Sequence, residues 1–102
     1  MAQILSFEDL SVSFATVLAT AMTEALSTEM DVIVDAGAAE RVDAAGLQIF
    51  ISAQRTATER GSSLVVQVPS GGPVARALDI YGLLSPEGVA AQPFRLVTAK
   101  RA

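Results

Sequence analysis

The sequence contains neither cysteine nor histidine, and these two absences exclude several kinds of functional site. Without cysteine there can be no disulfide, and without both residues there is no zinc site of the usual Cys/His kind. A Ser-His-Asp triad and a Cys-His pair are excluded for the same reason. The lack of cysteine also fits a reducing compartment. Because no nucleophile–base pair is visible, we expect a protein that is not an enzyme. We also expect no cofactor.

Positive charge and long apolar runs are scarce as well. Seven Lys and Arg residues face eleven Asp and Glu residues, which gives a net charge of −4. A nucleic-acid surface needs a basic patch, and none is visible. No apolar run reaches the roughly 20 residues of a transmembrane helix, and the opening MAQILSFEDL lacks the pattern of a secretory signal. We therefore predict a soluble cytoplasmic protein that neither binds nucleic acid nor inserts into a membrane.

Apolar residues are what the chain has in quantity. They make up 51 % of the sequence, whereas aromatic residues make up only 5 %, so the core should consist mainly of small aliphatic side chains. This composition is far too apolar for a disordered chain. A chain of 102 residues has enough surface to bury for one core and not for two. We therefore predict a single domain over residues 1–102.

Short strand-like runs alternate along the chain with segments of helical periodicity. Strands are predicted at residues 3–7, 31–35, 64–68 and 94–98, and helices from residue 11 to about residue 28, at 44–60 and at 73–81. The order β-α-β-α-β-α-β predicts an α/β domain whose mostly parallel four-stranded sheet carries its helices mainly on one face. The continuous apolar run of DVIVD, residues 31–35, further suggests a strand that is covered on both faces.

Three residues are expected at the ends of these helices, and a fourth where one helix crosses the sheet. Asp43 is placed to cap the second helix by accepting the backbone N–H of Ala45 or Gly46. Gly46 itself is expected where that helix crosses the sheet closely. Gly61 follows the helix where a left-handed C-terminal residue is common, and Pro73 stands in the first turn of the third helix.

One motif around the second strand and second helix resembles a known family. An acid ends the strand, and a second acid is followed by two small residues, Gly and Leu: Asp35, then Asp43, Ala44, Ala45, Gly46 and Leu47. Together with Gly61 and the later ALDIYGL, residues 31–83 resemble a STAS domain. That is the fold of anti-sigma-factor antagonists and of related domains in lipid-transport complexes, sulfate transporters and chemotaxis operons. The short N-terminal segment and the sequence LQIFISA most resemble the chemotaxis-operon type.

The resemblance implies a bacterial interaction module and also marks a difference. In anti-sigma-factor antagonists, the residue after the second acid is a Ser or Thr that a partner kinase phosphorylates. Here that residue is Ala44, which has no hydroxyl group. A phosphate would add about −1.5 to −2 charges at a helix N-terminus, and a methyl group cannot receive it. Binding through this surface is therefore expected to be constitutive. Many family members also begin with a two-stranded hairpin, whereas this sequence predicts only one short strand before the first helix.

The predicted contact face for a protein partner follows the second helix. It comprises Asp43, Ala44, Gln48, Ile51, Ser52 and Arg55. Ile51 lies off the buried stripe of the helical wheel, so it is either a residue at the core boundary or an apolar contact rimmed by polar residues. Ser52 is either a solvated serine or a replacement phosphosite. The expected partner is an anti-sigma factor or histidine-kinase-like protein, or a chemotaxis component.

Two alternative functions remain open at this stage. The chain could be the STAS subunit of an ABC-type lipid-transport complex, in which case its partner would be the transporter ATPase. It could also be a sensor of a nucleotide or another small ligand, since Ser70, Gly71 and Gly72 place backbone N–H groups at the start of a helix. The plainer interpretation of that loop is a Pro-initiated helix start. Asp35 and Asp43 supply oxygen ligands of the kind that Mg²⁺ prefers, but we expect no metal site.

Overall fold

The computed structural model describes residues 2–28, 31–87 and 90–97. Its strands are β1 (Ala2–Ser6), β2 (Asp9–Leu10), β3 (Asp31–Asp35), β4 (Arg41–Val42), β5 (Ser63–Pro69) and β6 (Phe94–Val97). Its helices are α1 (Ala15–Thr28), α2 (Ala44–Glu59) and α3 (Pro73–Ile80), with 3₁₀ turns at Val12–Phe14 and Ala36–Ala38. The four predicted strands and three predicted helices are all present in the predicted order. Thr98, the last residue of the fourth predicted strand, lies outside the described residues.

The main sheet is fully parallel and has the strand order β1-β3-β5-β6. Each crossover therefore steps in the same direction across the sheet. Because such crossovers are almost always right-handed, all three helices are directed to the same face. Burial agrees with this arrangement, since Val32, Val34, Leu64, Val66 and Val68 alternate along β3 and β5 and are all buried. The predicted sheet with helices mainly on one face is confirmed.

The opposite face of the sheet carries none of the helices formed by the described residues. Ile4, Ile33 and Val65 are register partners across three strands, and the Ile4 side chain is 68 % exposed. Ile33 and Val65 are only half-buried. The prediction that residues 31–35 are covered on both faces is therefore wrong. The β-branched residues of this run support extended backbone whether or not a second layer covers them.

A second, two-stranded sheet was not predicted. Asp9 and Leu10 of β2 pair in parallel with Arg41 and Val42 of β4. Strands of two residues are too short to produce a recognisable alternation in the sequence. The N-terminal segment thus contains a second strand, but β2 pairs with β4 rather than forming a hairpin with β1. This small sheet joins the chain before α1 to the chain before α2.

The core is apolar throughout the part of the chain that the structure describes, with no buried polar or charged side chain. Aliphatic residues dominate it, as the composition predicted. Its largest members include one aromatic pair, Phe50 of α2 and Phe94 of β6. The two ring centroids lie 6.3 Å apart and the rings meet edge to face at 89°. This pair joins α2 to the last strand of the sheet. Across the described residues, no helix combines the length and apolarity needed to span a membrane.

The predicted end of α2 is confirmed in detail. Gly61 has a φ of +75° and follows the helix. Its N–H donates to the Thr58 carbonyl at 3.1 Å, and the Ser62 N–H donates to the Ala57 carbonyl at 2.7 Å. These two bonds form a Schellman motif, which satisfies carbonyl groups that would otherwise lack partners at the helix end. Pro73 occupies the first turn of α3, also as predicted.

Candidate interaction surface

Asp43 fixes the start of α2 with both oxygens of its carboxylate. Its Oδ1 accepts the Gly46 N–H at 3.1 Å, which confirms the predicted helix cap. Its Oδ2 accepts the Val12 N–H at 2.9 Å, although Val12 lies 31 residues earlier in the chain. The backbone N–H of Asp43 also donates to the Leu10 carbonyl at 3.2 Å. Asp43 therefore ties the 3₁₀ turn before α1 to the first turn of α2.

These hydrogen bonds change the acidity of the Asp43 carboxyl group. The N–H of Val12 and then that of Gly46 lower its pKa, with a smaller contribution from the Ala45 N–H, while partial burial acts in the opposite direction. The cause is that each N–H group stabilises the ionised form. A negative charge at this position also interacts favourably with the N-terminus of α2.

Replacing Asp43 with asparagine is expected to destabilise the protein by about 1–2 kcal/mol near neutral pH. Asparagine can still cap the helix, but its single carbonyl oxygen cannot replace both carboxylate oxygens. Because the native pKa is lowered, the advantage of Asp43 is complete above its unfolded pKa of about 3.9 and is lost as the pH falls through the native pKa. Urea unfolding of both proteins from pH 7 to pH 3 measures this. A stability difference that does not change with pH would contradict the assignment.

Gly46 lies against the backbone of β2. A Cβ atom built at Gly46 would fall 1.8 Å from the Leu10 carbonyl oxygen and 2.5 Å from its carbonyl carbon. The predicted close crossing is confirmed, but the strand that α2 approaches belongs to the small sheet and not to the four-stranded one. This approach places the 3₁₀ turn Val12–Phe14 beside the first residues of α2.

Ala44 is the first residue of α2 and is exposed. Val12, whose N–H is bound to the neighbouring Asp43, has a side chain that is 64 % exposed. Two apolar side chains, those of Val12 and Ala44, are therefore exposed at the N-terminal end of α2. Val12 was not predicted as part of any site, because only the fold brings it to α2.

The predicted contact residues of α2 divide into two groups. Ala44, Gln48, Ser52 and Arg55 are exposed and follow one another along the outer side of the helix. Ile51 is half-buried and packs against the hydrophobic core. This placement favours the interpretation of Ile51 as a residue at the core boundary. By the helical periodicity, Gln48 and Ser52 lie toward one flank of the exposed group, and Ile51 lies toward the other.

A groove of about 460 Å³ runs between α1 and α2. It is lined by Ala19, Met22, Thr23 and Leu26 of α1 and by Gln48, Ile49, Ser52, Ala53, Thr56 and Arg60 of α2 and its C-terminal cap. Gln48 and Ser52 thus belong both to the predicted contact face and to the wall of the groove. The sequence could not predict this groove, because its existence depends on how the two helices lie against each other.

In the loop at residues 69–73, the predicted alternative ligand site, two backbone N–H groups already donate to carbonyl groups of the protein. The Ser70 N–H donates to the Val97 carbonyl at 2.9 Å, and the Gly72 N–H donates to the Pro69 carbonyl at 3.4 Å. Pro73 has no N–H group. Of the three predicted ligand-binding residues, Ser70 and Gly72 therefore already use their backbone donors, and Gly71 turns the chain with a φ of +82°.

Asp35 is also used in a local turn. Its Oδ1 accepts the Gly37 N–H at 2.9 Å and so caps the 3₁₀ turn Ala36–Ala38. Within residues 2–28, 31–87 and 90–97, acidic side chains do not gather in groups of three or more that could hold a metal ion. The Asp35 carboxylate thus caps the 3₁₀ turn after β3, and the Asp43 carboxylate caps α2 after β4.

Comparison with known proteins identifies the family. A family model described as "Mlab, STAS domain" matches residues 8–86. No curated protein and no solved structure gives a significant match. The matched segment contains the small sheet, the Asp43 cap, the Gly46 crossing and both walls of the groove. With the parallel sheet and its three helices, this match means that the chain belongs to the STAS domain family.

Proposed function

We propose that this STAS domain is a module that binds a protein partner constitutively through the exposed side of α2. The observation that carries the proposal is the exposed methyl group of Ala44 at the first position of the helix. The resemblance to anti-sigma-factor antagonists implies a phosphorylatable Ser or Thr at that position. STAS domains generally act as non-enzymatic interaction modules in signalling or transport. Ala44 thus stands at the position of the phosphorylated residue in the proposed surface but has no hydroxyl group that could be phosphorylated.

The composition of this surface supports a contact with protein. Val12 and Ala44 are exposed apolar residues at the helix start, and Gln48, Ser52 and Arg55 add exposed polar groups and one cation farther along α2. Protein interfaces commonly combine an apolar centre with a polar rim, and arginine is enriched in them. Asp43 fixes Val12 relative to α2, since its carboxylate accepts the N–H groups of both Val12 and Gly46.

We propose that the module belongs to a bacterial, cytoplasmic signalling system. In an anti-sigma or chemotaxis pathway the partner would be an anti-sigma factor, a histidine-kinase-like protein or a chemotaxis component. In a lipid-transport complex the same face would bind the transporter ATPase. A photo-crosslinker at position 48, compared with one at the exposed position 20 of α1, would identify the partner in living cells of the source organism. Failure of position 48 to give a specific product would count against this face.

Replacing Ala44 with aspartate is expected to weaken the identified partner's binding at least about tenfold, which corresponds to about 1.4 kcal/mol. The added carboxylate stands where the phosphate of a switched family member would stand, next to the charge of Asp43. Ala44→Asn is the matched control, because it adds a polar group of the same shape without charge, and its affinity should fall less than about threefold. Titration calorimetry with the purified partner measures both. Equal affinities for the two variants would argue that charge at this position does not control binding.

The ligand-sensing alternative has its own test. A nucleotide that bound the loop at residues 69–73 would stabilise only the folded protein and raise its melting temperature. A thermal-shift screen with nucleotides is therefore expected to show no increase if the chain functions through α2 alone.

A further inference from the structure

The groove between α1 and α2 has an apolar floor that both helices supply. Met22, Leu26 and Ala53 are buried beneath it, and Ile49 is half-buried at its side. Each helix follows a strand of the same parallel sheet, so α1 and α2 run in the same direction. From Gln48 to Arg60 the groove follows α2 for about 18 Å, at 1.5 Å per residue.

The charge of the groove differs from that of the chain. The protein has eleven acidic and seven basic residues. Among the residues that the structure describes, however, the groove is lined by one basic residue, Arg60, and by no acidic one. Its remaining polar side chains are uncharged: the hydroxyl groups of Thr23, Ser52 and Thr56 and the amide group of Gln48. Outside the groove, Glu59 and Arg55 are exposed on the same helix and offset each other in charge. A partner surface that matches this groove would therefore have a stripe of apolar side chains with a negative charge near one end.

From these observations we infer that the groove receives an acidic amphipathic helix of the protein partner. The inference rests on the proposed function, since the groove shares Gln48 and Ser52 with the proposed contact face. Apolar side chains spaced at i, i+3 or i+4, and i+7 would cover Met22, Leu26 and Ala53, as in other complexes of a helix with a groove. A carboxylate on the next turn would pair with Arg60. The 18 Å length fits about three helical turns.

The shape of the groove favours a helix over a small molecule. Sites for small molecules typically bury 70–90 % of their ligand. The walls here include Ala19, Thr23, Gln48 and Ser52, which are all exposed, so the groove is open along its length. Ala19 is the residue best suited to a test. It lies on the wall, it is exposed, and a charged side chain there changes the groove without altering the core.

The experiment is a selection of displayed random 16-residue helical peptides on the wild-type protein. We expect the enriched peptides to be amphipathic and acidic. Their affinity should fall at least tenfold for Arg60→Glu and for Ala19→Glu, and it should rise for Ala19→Lys. Thr20→Glu and Thr20→Lys serve as matched controls, because Thr20 is exposed on α1 and does not line the groove. Circular dichroism and melting curves verify that each variant is folded.

The inference is overturned if the enriched peptides are basic, if no peptide is enriched, or if Ala19→Glu and Thr20→Glu weaken binding equally. Binding of a small anionic amphiphile such as dodecanoate, with no enriched peptide, would also overturn it and would assign the groove to a ligand. The proposed function has a separate readout, because Ala44→Asp acts on the partner at the helix start. If Ala44→Asp weakens the partner's binding and Ala19→Glu does not, the proposed contact face still holds, but the groove is not part of it.

Discussion

Replacing Gly46 with alanine is expected to destabilise the protein by about 3 kcal/mol or more, although alanine is the better helix former by about 1 kcal/mol. The new methyl group would lie 1.8 Å from the Leu10 carbonyl oxygen and 3.2 Å from its Cα atom. These are backbone atoms, so no side-chain rotation can relieve the overlap. Either α2 or β2 must move, and the hydrogen bonds of Asp43 to both sides move with them. Thermal unfolding should show a decrease of more than about 12 °C.

Gly61→Ala is the matched control for this prediction. A Cβ atom at Gly61 meets no other atom within 4 Å, but the residue has a φ of +75°. The expected loss there is about 1–2 kcal/mol and comes from the left-handed backbone alone. Comparison of the two variants separates steric overlap from backbone strain. If Gly46→Ala were no less stable than Gly61→Ala, the close approach of α2 to β2 would be disproved.

Truncation of Phe50 to alanine is the other substitution with a large expected effect, about 3–5 kcal/mol. Phe50 is fully buried and supplies the ring that contacts Phe94. Its loss removes apolar contacts and leaves a cavity where α2 meets the sheet. Domains of this size are commonly stable by only about 5–15 kcal/mol, so the variant should lose a large part of its stability. Urea unfolding near 15 °C measures the loss where the remaining structure is most stable.

Leucine substitutions make the same prediction more specific. Phe50→Leu and Phe94→Leu keep most of the apolar volume and remove the edge-to-face contact of the rings. A double-mutant cycle should give a coupling of about 0.5–1.5 kcal/mol. Strictly additive effects would show that the two rings contribute as separate apolar groups and not as a pair.

The fold could be predicted from the sequence because local patterns decided it. The run at residues 31–35 has the bounds of β3, and Pro73 begins α3 as its missing N–H requires. The apolar run could not show which face of β3 is covered by helices. Ile33 is as apolar as Val32 and Val34, yet it faces the side of the sheet opposite to α1, α2 and α3. Which face is covered depends on the direction of all three crossovers, which is a property of the whole chain.

The candidate site was predictable only where its residues are close in the sequence. The bond from Gly46 to Asp43 spans three residues, and the sequence predicted it. The bond from Val12 to the same carboxylate spans 31 residues, and no local pattern indicates it. The groove depends in the same way on α1 lying beside α2. Ile51 shows the limit of a helical wheel, which gives the direction of a side chain and not what packs against it.

The order of strands in the main sheet is also the order in which they leave the ribosome. Partners in adjacent strands are about thirty residues apart in the chain, and each later strand is added beside the one before it, from β1 to β6. At about 5–20 residues per second, synthesis delivers a new strand every few seconds. The sheet can therefore grow at one edge during translation, with no earlier pair of strands separating to admit a later one. Until β6 arrives, β5 has a free edge that can pair with another chain, as β1 has at the other side of the sheet.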